Sequence, residues 1–129
     1  MQNTFFIDEA TELARENSNF RKVVFTTDRS QLVLMSLMPR EEIGSEVHVH
    51  IDQIFVVVAG LGEAVIGTTR RVVEPGTVLV VPAGTRHNIL NAGNVPLQLF
   101  TIYTPPQHEP GTVHRTKAEA DAAELAHHR

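Results

Sequence analysis

The sequence predicts an all-β fold, an antiparallel sandwich or barrel, and three observations carry that prediction. Between Arg21 and Tyr103 the chain breaks into short β-like runs, at 22–25, 31–37, 47–50, 54–58, 63–66, 71–73, 78–81, 87–90 and 97–103. Turn formers separate them: Pro39, Gly44, Gly60 with Gly62, Gly67, Pro75-Gly76, Pro82 to Gly84, and the segment 91–96. Close spacing of short runs with glycine and proline turns is the pattern of sandwiches and barrels. Third, the runs 54–58 and 78–81 are apolar at every position, whereas a strand wet on one face alternates. Both faces of these strands must be covered, one by the barrel interior and the other by the terminal arms or a second subunit. A homodimer is therefore expected.

Taken in order, residues 4–17 predict a short amphipathic helix or ordered arm, with Phe5, Phe6 and Leu13 among acidic residues. The barrel body then occupies about 22–104. Thr104-Pro105-Pro106 and Pro110-Gly111 predict an extended arm, because proline is excluded from central strands. Thr116 and Glu119 have capping-box spacing, so the alanine-rich run after them predicts a surface helix, fraying at His127, His128 and Arg129. Residues 1–129 are expected to form a single domain.

Composition removes several function classes. The chain has 129 residues, of which 42% are hydrophobic and 20% charged, an ordinary globular balance rather than a disordered one. Net charge is −4, from 11 basic and 15 acidic residues, and no stretch supplies the basic footprint that nucleic-acid binding needs. The longest apolar run, 54–60, is far short of a membrane span. The first residues lack a basic cluster and include Asp8, so a secretory signal is not expected and the cytoplasm is. There is no cysteine, which excludes disulfides, thiolate metal ligands and a cysteine nucleophile. Any metal must then be held by nitrogen and oxygen, and the seven histidines are the residues to place.

Two segments carry the candidate chemistry. The first holds Glu46, His48, His50 and Asp52, which recur with period 2 and would share one face of a strand. Four coordinating side chains on one face suggest either a solvated surface or a bound cation. Gln53 follows, and the Gly60-x-Gly62 turn closes the segment. The second runs Gly76-x5-Pro82-x-Gly84-x2-His87-x3-Asn91: two tight turns, then a strand opened by His87 and ended by Asn91.

Together these segments resemble the paired motifs of the cupin superfamily, G-x5-H-x-H-x3,4-E-x6-G and G-x5-P-x-G-x2-H-x3-N. The second is matched at every fixed position, and the resemblance spans 32–103. It implies an antiparallel double-stranded β-helix (a jelly-roll barrel) with short terminal helical segments. A metal would be held inside, usually by three histidines and a glutamate. The first motif departs from the family's pattern. Counting back from Gly60 puts Gln53 in the glutamate position, His48 in that of the second histidine and Glu46 in that of the first. The literal His48-x-His50 pair leaves too short a spacer before Gln53, and counting from Gly44 pairs His50 with Asp52.

Glu46, His48, Gln53 and His87 are the preferred ligand set, with His50 the alternative to Glu46. The preferred set keeps one negative charge, and its two histidines and one carboxylate suit Fe(II), with Mn, Ni or Zn also compatible. Asp52 could orient a ligand imidazole. By parity Phe55 and Val57 face the lumen. His108 and His114 lie on the arm, where exposed positions are the simpler expectation and a lid over the barrel mouth the other. Arg70, Arg71 and Arg86 are expected as solvated strand-end charges, leaving no phosphate clamp.

The resemblance implies a small metal-binding protein, isomerase- or lyase-like and similar to mannose-6-phosphate isomerase-like cupins, acting on a polar metabolite such as a sugar derivative. An Fe(II)-dependent oxygenase, a non-catalytic sugar-binding protein and a dimeric protein with a vestigial metal site remain the other readings.

Overall fold

The computed structural model describes residues 4–127. The chain runs α1 (Ala10–Glu16), β1 (Arg21–Thr26), β2 (Gln31–Leu37), β3 (Asp52–Ala59), β4 (Gly62–Ile66), β5 (Thr69–Val73), β6 (Val78–Val81), β7 (His87–Asn91), β8 (Leu97–Thr104), β9 (Val113–His114) and α2 (Lys117–His127). Two antiparallel sheets form, a six-stranded one in the order β6-β3-β8-β2-β1-β9 and a three-stranded one in the order β5-β4-β7. They roll into the expected all-β barrel, with short helices near both ends.

Side-chain alternation decides what fills the barrel. Along β8 every second residue, Leu97, Leu99, Thr101 and Tyr103, is buried. They meet the inward positions of β2 and β3 in register: Leu99 pairs with Met35 and Val57, and Thr101 with Val33 and Phe55. Ala64, Val73 and Ile89 of the smaller sheet close the same core from the other side. The apolar stack occupies one end of the barrel. At the other end the inward positions turn polar, with Gln31, Gln53 and His87 all buried.

Three expected elements differ. The run 47–50 is not a strand: Glu46 makes a single bridge to His87, and residues 49–50 lie in a turn before β3. The period-2 face therefore ends at His48. The N-terminal helix is shorter than 4–17, because Phe6 instead packs on Phe25 of β1, with ring centroids 5.9 Å apart. The arm after β8 is not wholly extended, since β9 adds to β1 as an edge strand. At α2 the Thr116 hydroxyl accepts the Glu119 amide at 3.1 Å, as the capping pattern predicts. The expected fraying at His128 and Arg129 lies outside the described residues.

The outer face of the larger sheet is covered only in part. Ala14 of α1 is buried with Leu34 and Val58, and Phe100 packs against them. On β6, the free edge of that sheet, Val78 and Val80 remain 57% and 62% exposed.

Candidate metal centre

The polar end of the barrel is assembled by backbone pairing. Glu46 and His87 exchange both amide–carbonyl bonds at 2.9 Å, so as cross-strand partners they place their side chains on the same side. The Gly84 amide donates to the His48 carbonyl at 2.8 Å, holding the next turn of chain against the loop before β7. Gln53 enters from β3, flanked by Val81 and Tyr103. The ligating atoms of Glu46, His48 and His87 all lie within 4.8 Å of one another, a group positioned to bind a metal.

Hydrogen bonds fix which atoms point inward. A backbone carbonyl only accepts, so the 3.0 Å contact between His87 Nδ1 and the Thr85 carbonyl requires a proton on Nδ1. In the neutral ring, Nε2 is then a bare lone pair. The Thr101 hydroxyl donates to the Ile54 carbonyl at 2.8 Å and accepts from Gln53 Nε2 at 3.0 Å. That leaves Gln53 Oε1 aimed at His87 Nε2, 3.2 Å away. Two acceptors face each other, an arrangement that a shared cation stabilises. His48 Nε2 is buried without a hydrogen-bond partner, 3.7 Å from Glu46 Oε1. Buried ring nitrogens are rarely left without a partner. Two imidazole nitrogens, a carboxylate and an amide oxygen thus converge, and this donor set fits a divalent transition-metal ion.

The surroundings reinforce that character. Burial pushes the Glu46 carboxyl up, but the nearby His48, Arg21 and His87 outweigh this, and it sits below the ordinary value. Phe55 packs its ring 5.8 Å from that of His87 and keeps water off one side. Tyr103 meets His48 edge-on at 6.0 Å, and burial pushes its phenol up to about 12, so it stays protonated at neutral pH.

The structure brings Glu46, His48, Gln53 and His87 together and leaves His50 exposed in the turn outside the group. Asp52 does not reach a ligand imidazole, because its carboxylate accepts the Ala83 amide at 2.8 Å on the rim. Phe55 and Val57 face inward, as parity predicts. His108 is not an exposed arm residue. Gln31 clamps its backbone from both sides, accepting its amide at 2.9 Å and donating to its carbonyl at 2.6 Å. Its Nε2 meets the Tyr103 hydroxyl at 3.3 Å. Sequence reasoning missed Arg21, Gln31, Thr101 and Tyr103. The available signal was polar residues at inward parity in otherwise apolar strands.

A family model described as a cupin domain matches residues 33–103. The chain is 42% identical over 125 residues to the protein YrkC of Bacillus subtilis (strain 168), covering 92% of this chain and 67% of that one. It is 39% identical over 116 residues to the protein L612 of Acanthamoeba polyphaga mimivirus, covering 87% and 72%. The crystal structure of BH2720 from Bacillus halodurans superposes with a TM-score of 0.89 at 41% identity, covering 91% of this chain and 93% of that one.

Proposed function

The chain belongs to the cupin domain family, and on that premise we propose that it is a small metal-dependent enzyme, isomerase- or lyase-like, acting on a polar metabolite such as a sugar derivative. The observation that supports this reading is the facing pair His87 Nε2 and Gln53 Oε1, beside the unpaired His48 Nε2. Glu46, His48, Gln53 and His87 would hold Mn, Fe, Ni or Zn. The bound ion would supply Lewis acidity, polarising a carbonyl or hydroxyl of the substrate.

The chain's own groups supply the rest. Glu46 carries the one carboxylate charge of the ligand set. Thr85 and Thr101 fix the His87 tautomer and the Gln53 orientation. Tyr103 offers a protonated phenol beside the group, and Phe55 excludes water from it. A phosphosugar of the mannose-6-phosphate kind is the narrower form of the reading, and no clamp of Arg70, Arg71 and Arg86 supports it. All three are exposed, with Arg70 bonded to Glu63 at 2.7 Å and Arg86 to Ser45 at 3.1 Å.

The test is proton exchange. Metal-loaded protein incubated with small aldoses and ketoses in D2O should place deuterium on the carbon next to the carbonyl, and the metal-free protein should not. Saturable binding of these sugars without exchange, with or without metal, would overturn the enzymatic reading in favour of a non-catalytic binding protein. The two-histidine, one-carboxylate group also supports an Fe(II) oxygenase, for which oxygen uptake by the Fe(II)-loaded protein is the discriminating result.

We also propose a homodimer. Support comes from the exposed Val78 and Val80 on the free edge of the larger sheet, next to the half-buried Ile54 and Val56 of β3. An exposed apolar sheet edge is a surface that proteins ordinarily cover. Sedimentation should give twice the chain mass at micromolar concentration, and the mass of one chain would contradict it. No helix among the described residues is long and apolar enough to cross a membrane. The absence of cysteine is compatible with the cytoplasmic location we propose.

A further inference from the structure

Arg21 is the first residue of β1, and like Val23 it points inward, with only 8% of its surface exposed. A buried guanidinium ordinarily has a carboxylate partner, since an uncompensated buried charge is costly. Among the described residues no carboxylate lies within ion-pair distance of Arg21. Its Nη1 donates to His114 Nδ1 at 3.2 Å, and its Cζ lies 5.4 Å from the Phe20 ring centroid. Its Nε is buried with no acceptor at all. Its charge acts on the Glu46 carboxyl and the Tyr103 phenol, but not through an ion pair.

The guanidinium borders a cleft of about 600 Å3 between the arm and α2, whose wall also includes His108, Thr112 and His114. The tautomer of His114 follows from its partner. Arginine only donates, so His114 Nδ1 is the acceptor and its Nε2 carries the proton. Where the Tyr103 hydroxyl donates to His108 Nε2, the proton of that ring is on Nδ1. Burial and the charge of Arg21 push both rings down, His108 to about 3 and His114 below its ordinary value. The wall thus presents N–H donors from Arg21 and His114, and from His108 when Tyr103 donates to it, with one fixed positive charge. The Glu109 carboxylate lines the same cleft at an exposed position and opposes a second negative charge on a ligand.

We propose that this cleft is a carboxylate-binding subsite in which Arg21 anchors a small organic monoacid and His108 and His114 donate hydrogen bonds to it. A planar carboxylate matches the fork of the guanidinium, and a single charge matches the charge available. Phosphate, with up to two charges, meets the same donors but also the repulsion of Glu109. The subsite does not depend on metal at Glu46, His48 and His87. Tyr103 stands between the two, its ring edge against His48 and its hydroxyl on His108. A ligand seated in the cleft is therefore beside the metal group.

The test uses metal-free full-length protein, so a failure of the metal reading leaves it intact. Sodium acetate, inorganic phosphate and sodium chloride are titrated at constant ionic strength while the arginine Nε–H and histidine ring resonances are followed by NMR. Acetate should give saturable shifts at Arg21, His108 and His114, with phosphate weaker and chloride without effect. Arg21→Lys keeps the charge but loses the fork, and should weaken acetate binding by about tenfold or more. Glu109→Gln, at an exposed position, should strengthen it by roughly twofold to threefold and reads the same subsite if Arg21→Lys does not fold. Shifts that are linear or equal for chloride and acetate, preference for phosphate, or unchanged acetate binding in Glu109→Gln would each overturn the proposal.

Discussion

His87→Ala is expected to lower the affinity of the protein for divalent transition metals by about 100-fold or more, without unfolding it. Removing a group that merely orients a ligand costs roughly 10–100-fold, and His87 is itself one of the converging donors. The same variant also frees Gln53 Oε1 from the lone pair that faces it at 3.2 Å. The barrel should therefore tolerate the loss even though His87 is buried. Glu46→Ala should weaken the metal by a comparable factor, because it deletes the only carboxylate of the group. His50→Ala should bind metal like the parent, since His50 is exposed outside the group. Calorimetric titration with Mn2+ or Zn2+ checks all three. Parent-like binding in Glu46→Ala together with loss in His50→Ala would show that the ligand register is the other one.

Gly60→Ala should be the most damaging single-methyl change in the barrel. Gly60 takes φ +92° in the turn between β3 and β4, where L residues are strained. Its added Cβ would sit 2.6 Å from the Pro96 carbonyl oxygen and 2.9 Å from Leu97 Cα. Both are backbone atoms, so nothing flexible can yield. Strain and overpacking together should cost about 3 kcal/mol or more of unfolding free energy, a large part of the stability of a domain this size. Gly76→Ala is the control. Its φ is +94°, but nothing lies within 4 Å of the added methyl, so only the backbone strain remains, about 1–2 kcal/mol. Urea unfolding at unchanged m distinguishes the two, and equal losses would show that the approach of Pro96 is not what requires glycine at position 60.

Strand positions were legible in the sequence where a run alternated or was wholly apolar between turn residues, as in β2, β6 and β8. What positions most of the metal group was not. Glu46 and His48 look like strand residues because they alternate, yet they are held by a bridge to β7 and by the Gly84 amide, both long-range bonds that local spacing does not encode. That is why His50, in step by parity, falls outside the group. The second motif read more directly, because its glycines and proline specify turns and a turn fixes where the next strand begins. Arg21 was illegible for a different reason. At the start of a strand an arginine normally reads as solvated, and only the pairing of β1 with both β2 and β9 encloses it. His108 is similar: its burial comes from Gln31, 77 residues earlier in the chain.

We propose that Glu46, His48, Gln53 and His87 hold one divalent ion. The most direct test is diffraction above and below the zinc edge from crystals of Zn2+-loaded protein. A single anomalous peak is expected about 2.0–2.2 Å from His48 Nε2, His87 Nε2, a Glu46 carboxylate oxygen and Gln53 Oε1. A peak on His50 in place of Glu46, or none at this group with Gln53 still 3.2 Å from His87, would contradict it.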